Sequence, residues 1–104
     1  MFRLTYPNGY VEESDIYPDV FIEFIKYAGP QRVRDLDIYS LGTNLVVPKE
    51  DINLRYSSGY KDVGGGFYAN TIFTTQRKYE IMTYLSEQLK LNVKVELVPN
   101  TKKR

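Results

Sequence analysis

Apolar and polar side chains alternate along the first residues of the chain, which is the pattern of a half-buried β-strand. Phe2, Leu4 and Tyr6 form the apolar side of this strand. Residues 7–9 are Pro-Asn-Gly, in which proline suits the first corner of a turn and Asn-Gly tolerates positive φ at the next. The pattern therefore predicts a β-hairpin over residues 1–13.

A helical repeat of apolar residues follows the hairpin. Pro18 suits the first turn of a helix, and the Gly-Pro pair at residues 29–30 is typical of a helix end. Between them, four apolar residues recur at the spacing of one helical face: Phe21, Phe24, Ile25 and Ala28. Because Val20, Ile22 and Tyr27 widen this face, we expect the helix to be covered on more than one side.

A second helix is predicted to begin at Thr74 and Thr75. Its inward side carries apolar residues and one lysine at helical spacing: Lys78, Ile81, Met82, Leu85 and Leu89. Asn92 favours the left-handed conformation that ends helices. Beyond it, three apolar residues alternate with charged ones and predict a closing strand with one face on the core: Val93, Val95 and Leu97.

The middle of the chain predicts several short strands. Residues 38–40 and 45–47 are apolar segments separated by turn residues at 42–44. Pro48 ends the second of these strands or marks it as an edge, because proline cannot donate to a sheet. Residues 67–73 predict one further strand.

These segments, with one more helical turn allowed over residues 31–36, follow the order ββα-βββ-αβ. The order predicts an α+β fold with an antiparallel or mixed sheet of five to six strands and two helices packed on one face. At 104 residues the chain is expected to form a single domain over residues 1–101, followed by a basic tail at residues 102–104.

Composition adds constraints on partners and location. The formal net charge is +1, but without Lys102, Lys103 and Arg104 the body has 11 basic residues against 13 acidic ones, a net charge of −2. Such a body is not the basic surface that is usual for nucleic-acid binding. No apolar run approaches the roughly 18 residues of a membrane span, and the first residues lack a signal-peptide pattern. We therefore expect a cytoplasmic protein with no membrane partner.

The chain contains neither histidine nor cysteine, which removes most nucleophile–base pairs and most zinc sites. No cofactor or metal is expected, and the chain is predicted not to be an enzyme. Two catalytic alternatives stay open. One is a magnesium-dependent enzyme that uses Asp35, Asp37 or Glu50, and the other is a glycosidase-like pair of carboxylates, since the sequence does not show the distances between carboxyl groups. Asp35 and Asp37 are expected on one face of a strand.

Residues 55–68 differ from the rest because four glycines and three tyrosines are concentrated there. A phosphate-binding loop would require a helix directly after the glycines, yet residues 64–66 precede a strand. Seven extended residues span about 23 Å at 3.3 Å each, so the glycines and the next helix lie far apart. The sequence thus argues against a phosphate loop.

Tyrosine with serine and glycine is a mixture typical of binding loops, since tyrosine provides contact area at low entropic cost. We therefore predict a partner-binding surface formed by six residues of this stretch: Arg55, Tyr56, Tyr60, Lys61, Phe67 and Tyr68. The alternative is a mobile hairpin connection whose tyrosines fold back on the sheet.

Two further segments allow a functional interpretation. Arg77 and Lys78 lie in the first turn of the second helix, where cations beside free N–H groups would suit an anion, or would merely be solvated. A partial resemblance to helix-hairpin-helix DNA-binding elements extends over residues 25–36, where Ala28, Gly29 and Pro30 are followed by Val33 and Leu36. The second glycine of that element is absent, and a plain helix end explains the same residues.

The leading hypothesis is a small non-catalytic interaction module that binds a protein partner. Small chains of this composition often come from phages or other mobile elements, where they inhibit or adapt larger enzymes. The alternatives are a nucleic-acid-binding accessory protein and the magnesium-dependent enzyme. A monomer and a homodimer paired through a strand edge both stay open.

Overall fold

The computed structural model describes residues 1–40, 43–52 and 54–99, with the side chains of residues 40, 43, 54 and 56 excepted. The predicted basic tail at residues 102–104 lies outside the described residues. Within them are three helices: α1 (Tyr17–Ala28), α2 (Pro30–Asp35) and α3 (Thr75–Gln88). The strands are β1 (Phe2–Thr5), β2 (Val11–Ser14), β3 (Tyr39–Ser40), β4 (Thr43–Asn44), β5 (Val46–Pro48), β6 (Tyr60–Gly64), β7 (Phe67–Asn70) and β8 (Lys94–Leu97).

The longer strands form two antiparallel sheets of three strands each. The first has the order β2-β1-β8, with Leu4 of β1 opposite Glu12 on one side and Val95 on the other. The second has the order β5-β7-β6, and β3 pairs antiparallel with β4 over two residues of each strand. The α+β fold is confirmed, but the strands are divided between two sheets rather than joined in one. Alternation within a segment predicts a strand without determining its partner, which depends on contacts far away in the chain.

The predicted N-terminal hairpin and both long helices are confirmed. Pro18 lies in the first turn of α1, and Gly29, with φ of 98°, links α1 directly to α2. Glycine adopts this conformation without the steric cost that a Cβ atom would add. At the start of α3, the side chain of Thr74 accepts a hydrogen bond from the backbone N–H of Arg77 at 3.1 Å. This bond caps the helix.

The ends of two elements differ from the prediction. α3 ends at Gln88, and Lys90 adopts a left-handed conformation before Asn92 does. β7 ends at Asn70, short of the predicted residue 73, because the Asn70 side chain accepts from the backbone N–H of Ile72 at 2.8 Å. This local bond favours a turn over a continued strand.

The core lies between the helices and both sheets, since Val46, Val63 and Ala69 of the second sheet belong to the same buried cluster as the residues of β1. Its largest fully buried side chains come from β1, α1 and α3 and from the segments between them: Phe2, Leu4, Phe21, Phe24, Ile25, Leu45, Met82 and Leu85. α1 packs against α3, α2 and β6, while α3 also packs against β8. Tyr27 was expected on the covered side of α1, but 49% of its surface is exposed. Across the described ranges, no helix is both long and apolar enough to cross a membrane.

Candidate functional site

The stretch predicted as a partner-binding surface, residues 55–68, is a paired structure rather than an open loop. A 3-10 turn over Leu54–Gly59 leads into β6, and a tight turn joins β6 to β7. Three consecutive glycines at residues 64–66 have φ of 90°, 64° and 82°. Glycine is required here because three successive residues adopt positive φ. The role of these glycines is therefore to form the turn between β6 and β7.

The six predicted contact residues do not share one environment. Tyr60 lies opposite Asn70 in the sheet and is only 7% exposed, so its ring belongs to the interior. Phe67 and Tyr68 are half-buried, whereas Arg55 and Lys61 are exposed. The side chain of Tyr56 lies outside the described residues. Local composition could not indicate which face of β6 is covered, and Tyr60 is on the covered one.

The two cations at the start of α3 are directed to different environments. Lys78 is buried, and its Nζ donates a hydrogen bond to the carbonyl oxygen of Phe73 at 2.7 Å. Desolvation lowers the pKa of Lys78, since burial disfavours the charged form. The Arg77 guanidinium instead pairs at the surface with Glu80 at 3.3 Å. An anion that approached Arg77 would therefore not be met by Lys78 as well.

The carboxylates of the alternative magnesium enzyme are also not placed as expected. Asp35 ends α2 and accepts a hydrogen bond from Gln31 at 2.8 Å, while Asp37 follows with φ of 53°. The two carboxylates are not on one face of a strand, because β3 begins only at Tyr39. Together with Asp51 they line a polar cleft of about 480 Å³. No group of three or more acidic side chains in the described part of the chain could hold a metal ion.

A different surface combines aromatic rings and carboxylates. The tip of the β1–β2 hairpin stands against the C-terminal half of α1 and leaves a cleft of about 450 Å³ between them. We define the aromatic–acidic cleft by the five side chains that supply its chemistry: Tyr6, Tyr10, Glu12, Glu23 and Tyr27. Pro7 and Asn8 of the turn complete its lining.

Backbone hydrogen bonds hold Tyr6 and Tyr10 at the base of the hairpin turn. The N–H of Tyr6 donates to the carbonyl of Tyr10 at 2.8 Å, and the N–H of Gly9 donates to the carbonyl of Tyr6 at 2.9 Å. The side chain of Asn8 accepts from the N–H of Tyr10 at 3.0 Å, as in an Asx turn. These bonds explain why the Pro-Asn-Gly turn brings the two tyrosines together.

The three rings form one group around Tyr6. The Tyr6 and Tyr27 rings meet edge to face with centroids 4.8 Å apart and planes at 76°. The Tyr6 and Tyr10 centroids are 5.8 Å apart at 41°. Tyr6 is 9% exposed, whereas Tyr10 and Tyr27 are 60% and 49% exposed. Tyr6 is thus the buried base of the group, and the other two rings are accessible.

The cleft is electrostatically negative. Burial raises the pKa of Glu12 above its usual value, and the neighbouring charge of Glu23 raises it further. Burial raises the pKa of Tyr6 to about 12, with smaller contributions from Glu12, from Tyr27 and from Glu23. Glu23 pairs with Lys26 at 3.4 Å on the solvent side of α1. The two carboxylates and the phenol are therefore close enough to influence one another.

Sequence reasoning did not identify this cleft, although it assigned Tyr6 correctly to the core. Tyr27 was assigned to the core as well, and Tyr10 was given no role. The available signals were the i, i+4 spacing of Glu23 and Tyr27 and the two tyrosines that flank the turn. Neither signal shows that the hairpin tip and the helix meet.

No protein-family model matches the chain, and neither a curated protein nor a solved structure is significantly similar to it. The partial resemblance of residues 25–36 to a helix-hairpin-helix element therefore gains no support. Function has to be inferred from the chemistry of the described residues.

Proposed function

We propose that this protein is a non-catalytic interaction module and that the aromatic–acidic cleft is where it contacts a protein partner. One observation carries the proposal: two accessible tyrosine rings, Tyr10 and Tyr27, stand on different elements beside a cleft that also contains carboxylates. Tyrosines that are held in place and partly exposed are typical anchors of protein interfaces.

The support of Tyr6 beneath these rings favours a contact surface. Tyr6 contacts both rings, and its own backbone is fixed by the hairpin turn. A ring whose position is already restrained loses little further freedom on binding, which leaves more of its contact energy for affinity. The rings of Tyr10 and Tyr27 are in this sense preorganised for binding.

The sign of the charge favours protein over nucleic acid. Nucleic-acid affinity depends largely on cations that meet phosphates, and the cleft instead presents Glu12 and Glu23. A phosphate backbone would be repelled there. A nucleic-acid partner, if it binds at all, would have to use another surface.

The stretch at residues 55–68 stays a predicted second contact surface. That prediction applies to two exposed cations, Arg55 and Lys61, and to the half-buried rings of Phe67 and Tyr68. We propose the cleft as the principal surface because its tyrosines are more accessible and converge on one cavity.

The test begins with affinity capture from the source cell, which supplies a purified partner for quantitative binding. The decisive variant is Tyr10→Ala/Tyr27→Ala, and its matched control is Tyr39→Ala/Tyr84→Ala, which removes two other exposed tyrosines. We expect the cleft variant to weaken partner binding by about tenfold or more, with near-unchanged affinity for the control. An unchanged affinity in a cleft variant that remains folded by circular dichroism would overturn the proposal.

A further inference from the structure

We infer that the aromatic–acidic cleft takes the ammonium group of a lysine side chain that the partner protein presents. This inference rests on the proposed function and specifies the ligand chemistry of the same site. Three features of the cleft support it: the ring faces, the carboxylates and the size of the cavity.

The tyrosine rings of the cleft suit a cationic ligand. The face of a tyrosine ring is electronegative and attracts a cation within about 6 Å of its centroid. Tyr10 and Tyr27 are accessible rings in the lining of a cavity of about 450 Å³, and the buried ring of Tyr6 contacts both of them. A cation that enters this cavity would approach more than one ring at once.

The carboxylates of the cleft provide acceptors for the same cation. Glu12 comes from β2 and Glu23 from α1, so acceptors approach the cavity from two elements. Within the described ranges Glu12 forms no ion pair, and the one partner of Glu23 is Lys26. Because both members of that pair are exposed, it contributes little and an incoming cation can compete with it.

The arrangement also distinguishes between cations. An arginine guanidinium is a planar fork that is best matched by both oxygens of one carboxylate. A lysine ammonium is a compact charge with three donors, which suits separate acceptors that converge from different directions. Glu12 on β2 and Glu23 on α1, two separate acceptors in the lining of one cleft, fit the second geometry. The four-carbon stem of lysine can then lie along the rings of Tyr10 and Tyr27.

Binding is tested on the intact chain by nuclear magnetic resonance of the tyrosine rings. The probe is Nα-acetyl-lysine methylamide, and the neutral control is the norleucine analogue, which keeps the apolar stem without the charge. The arginine analogue and tetramethylammonium serve as competing cations. We expect the lysine probe to shift the Tyr10 and Tyr27 signals with at least about threefold higher affinity than any of the other three. Equal or stronger binding of one of those three, or no shift with lysine, would overturn the inference.

A charge-removing variant tests the carboxylates without removing the rings. We expect Glu12→Gln/Glu23→Gln to weaken lysine binding by about tenfold or more, whereas Glu80→Gln/Glu87→Gln, on α3, should bind as the wild type does. Unaltered lysine binding in the cleft variant would contradict the proposed role of the two carboxylates.

The same variants separate this inference from the proposed function. If Tyr10→Ala/Tyr27→Ala loses the partner while Glu12→Gln/Glu23→Gln keeps it, the cleft is a contact surface but does not take a lysine. If both variants bind the partner as the wild type does, the proposed function falls together with the inference. Loss of partner binding in both, with lysine-specific ring shifts in the wild type, supports both proposals.

Discussion

The ring of Tyr27 on α1 stands edge-on to the ring of Tyr6 at the end of β1, with centroids 4.8 Å apart. This contact joins the hairpin tip to the helix. It also places Glu23, one helical turn before Tyr27, at the same cleft as Glu12 of β2. The chemistry of the cleft therefore depends on a contact between residues that are 21 positions apart in the sequence.

The Tyr6–Tyr27 contact should be measurable as a coupling energy. In a double-mutant cycle with Tyr6→Leu and Tyr27→Ala, we expect a coupling of about 0.5–1.5 kcal/mol in the free energy of unfolding, the range of edge-to-face aromatic pairs. Denaturant unfolding of the four proteins measures it. Strictly additive effects would mean that the rings do not stabilise one another.

Alkaline pH should destabilise the fold through Tyr6. An unfolded tyrosine loses its proton near pH 10.0, whereas burial raises the pKa of folded Tyr6 to about 12. Between these values the folded state binds more protons, so stability falls as the pH rises through this window. Tyr6→Phe should flatten this part of the stability curve, measured by thermal melts from pH 9 to 12. An equal slope in the wild type and the variant would argue against a buried Tyr6 hydroxyl.

Glu12→Gln should stabilise the protein slightly at neutral pH. The pKa of Glu12 is raised in the folded state, so the folded protein retains that proton to a higher pH than the unfolded chain does. This difference in proton binding stabilises the folded state at low pH. The stabilisation is lost as the pH rises through the raised pKa of Glu12. We expect a gain of no more than about 0.5 kcal/mol at neutral pH, which disappears in acid. A loss of stability at neutral pH would contradict the two causes of the raised pKa, the burial of Glu12 and its repulsion by Glu23.

Tyr60→Phe and Ser86→Ala should have opposite effects although each removes one hydroxyl. The buried Tyr60 hydroxyl has no hydrogen-bond partner in the described structure, so its removal should be neutral or stabilising. Ser86 Oγ donates to the carbonyl of Val93 at 2.8 Å and accepts from its N–H at 3.1 Å. Ser86→Ala leaves both groups unpaired and should cost about 1–3 kcal/mol in chemical denaturation. A larger loss for Tyr60→Phe than for Ser86→Ala would contradict this contrast.

Gly59→Ala should destabilise the second sheet. A Cβ atom at Gly59 would overlap the side chain of Ile72, so we expect a loss of about 1–3 kcal/mol in unfolding free energy. Ser58→Ala, at the exposed neighbouring position, is the control and should lie within about 0.5 kcal/mol of the wild type. Adding Ile72→Ala to Gly59→Ala should recover part of the loss. No recovery would mean that the backbone, and not the overlap, causes the effect.

Much of the fold was predictable because its signals are local. The alternation of Phe2, Leu4 and Tyr6 and the helical spacing of Phe21 and Phe24 each depend on a single segment. Pro48 likewise marks the end of β5, which is an edge of its sheet, as expected. Such signals arise because strand and helix impose fixed periods on the side chains that they bury.

The candidate site was harder to predict because its residues lie on separate elements. Tyr60 was interpreted as a surface residue from its serine and glycine neighbours, yet it is only 7% exposed and lies on β6, the strand against which α1 packs. Tyr27 was interpreted as a core residue from its place near the apolar stripe of α1, yet it lies half-exposed beside the hairpin. In both cases burial depends on which neighbouring element packs over the residue.

The sequence by itself thus determined the N-terminal hairpin, the two long helices and the closing strand, and that the chain has no histidine or cysteine. The tertiary structure alone decided that the strands form two sheets and that Tyr6, Tyr10 and Tyr27 share a cleft with Glu12 and Glu23. The physical reason is the range of the interactions. Periodicity and turn chemistry act over a few residues, whereas sheet pairing and the meeting of hairpin and helix depend on packing between distant parts of the chain.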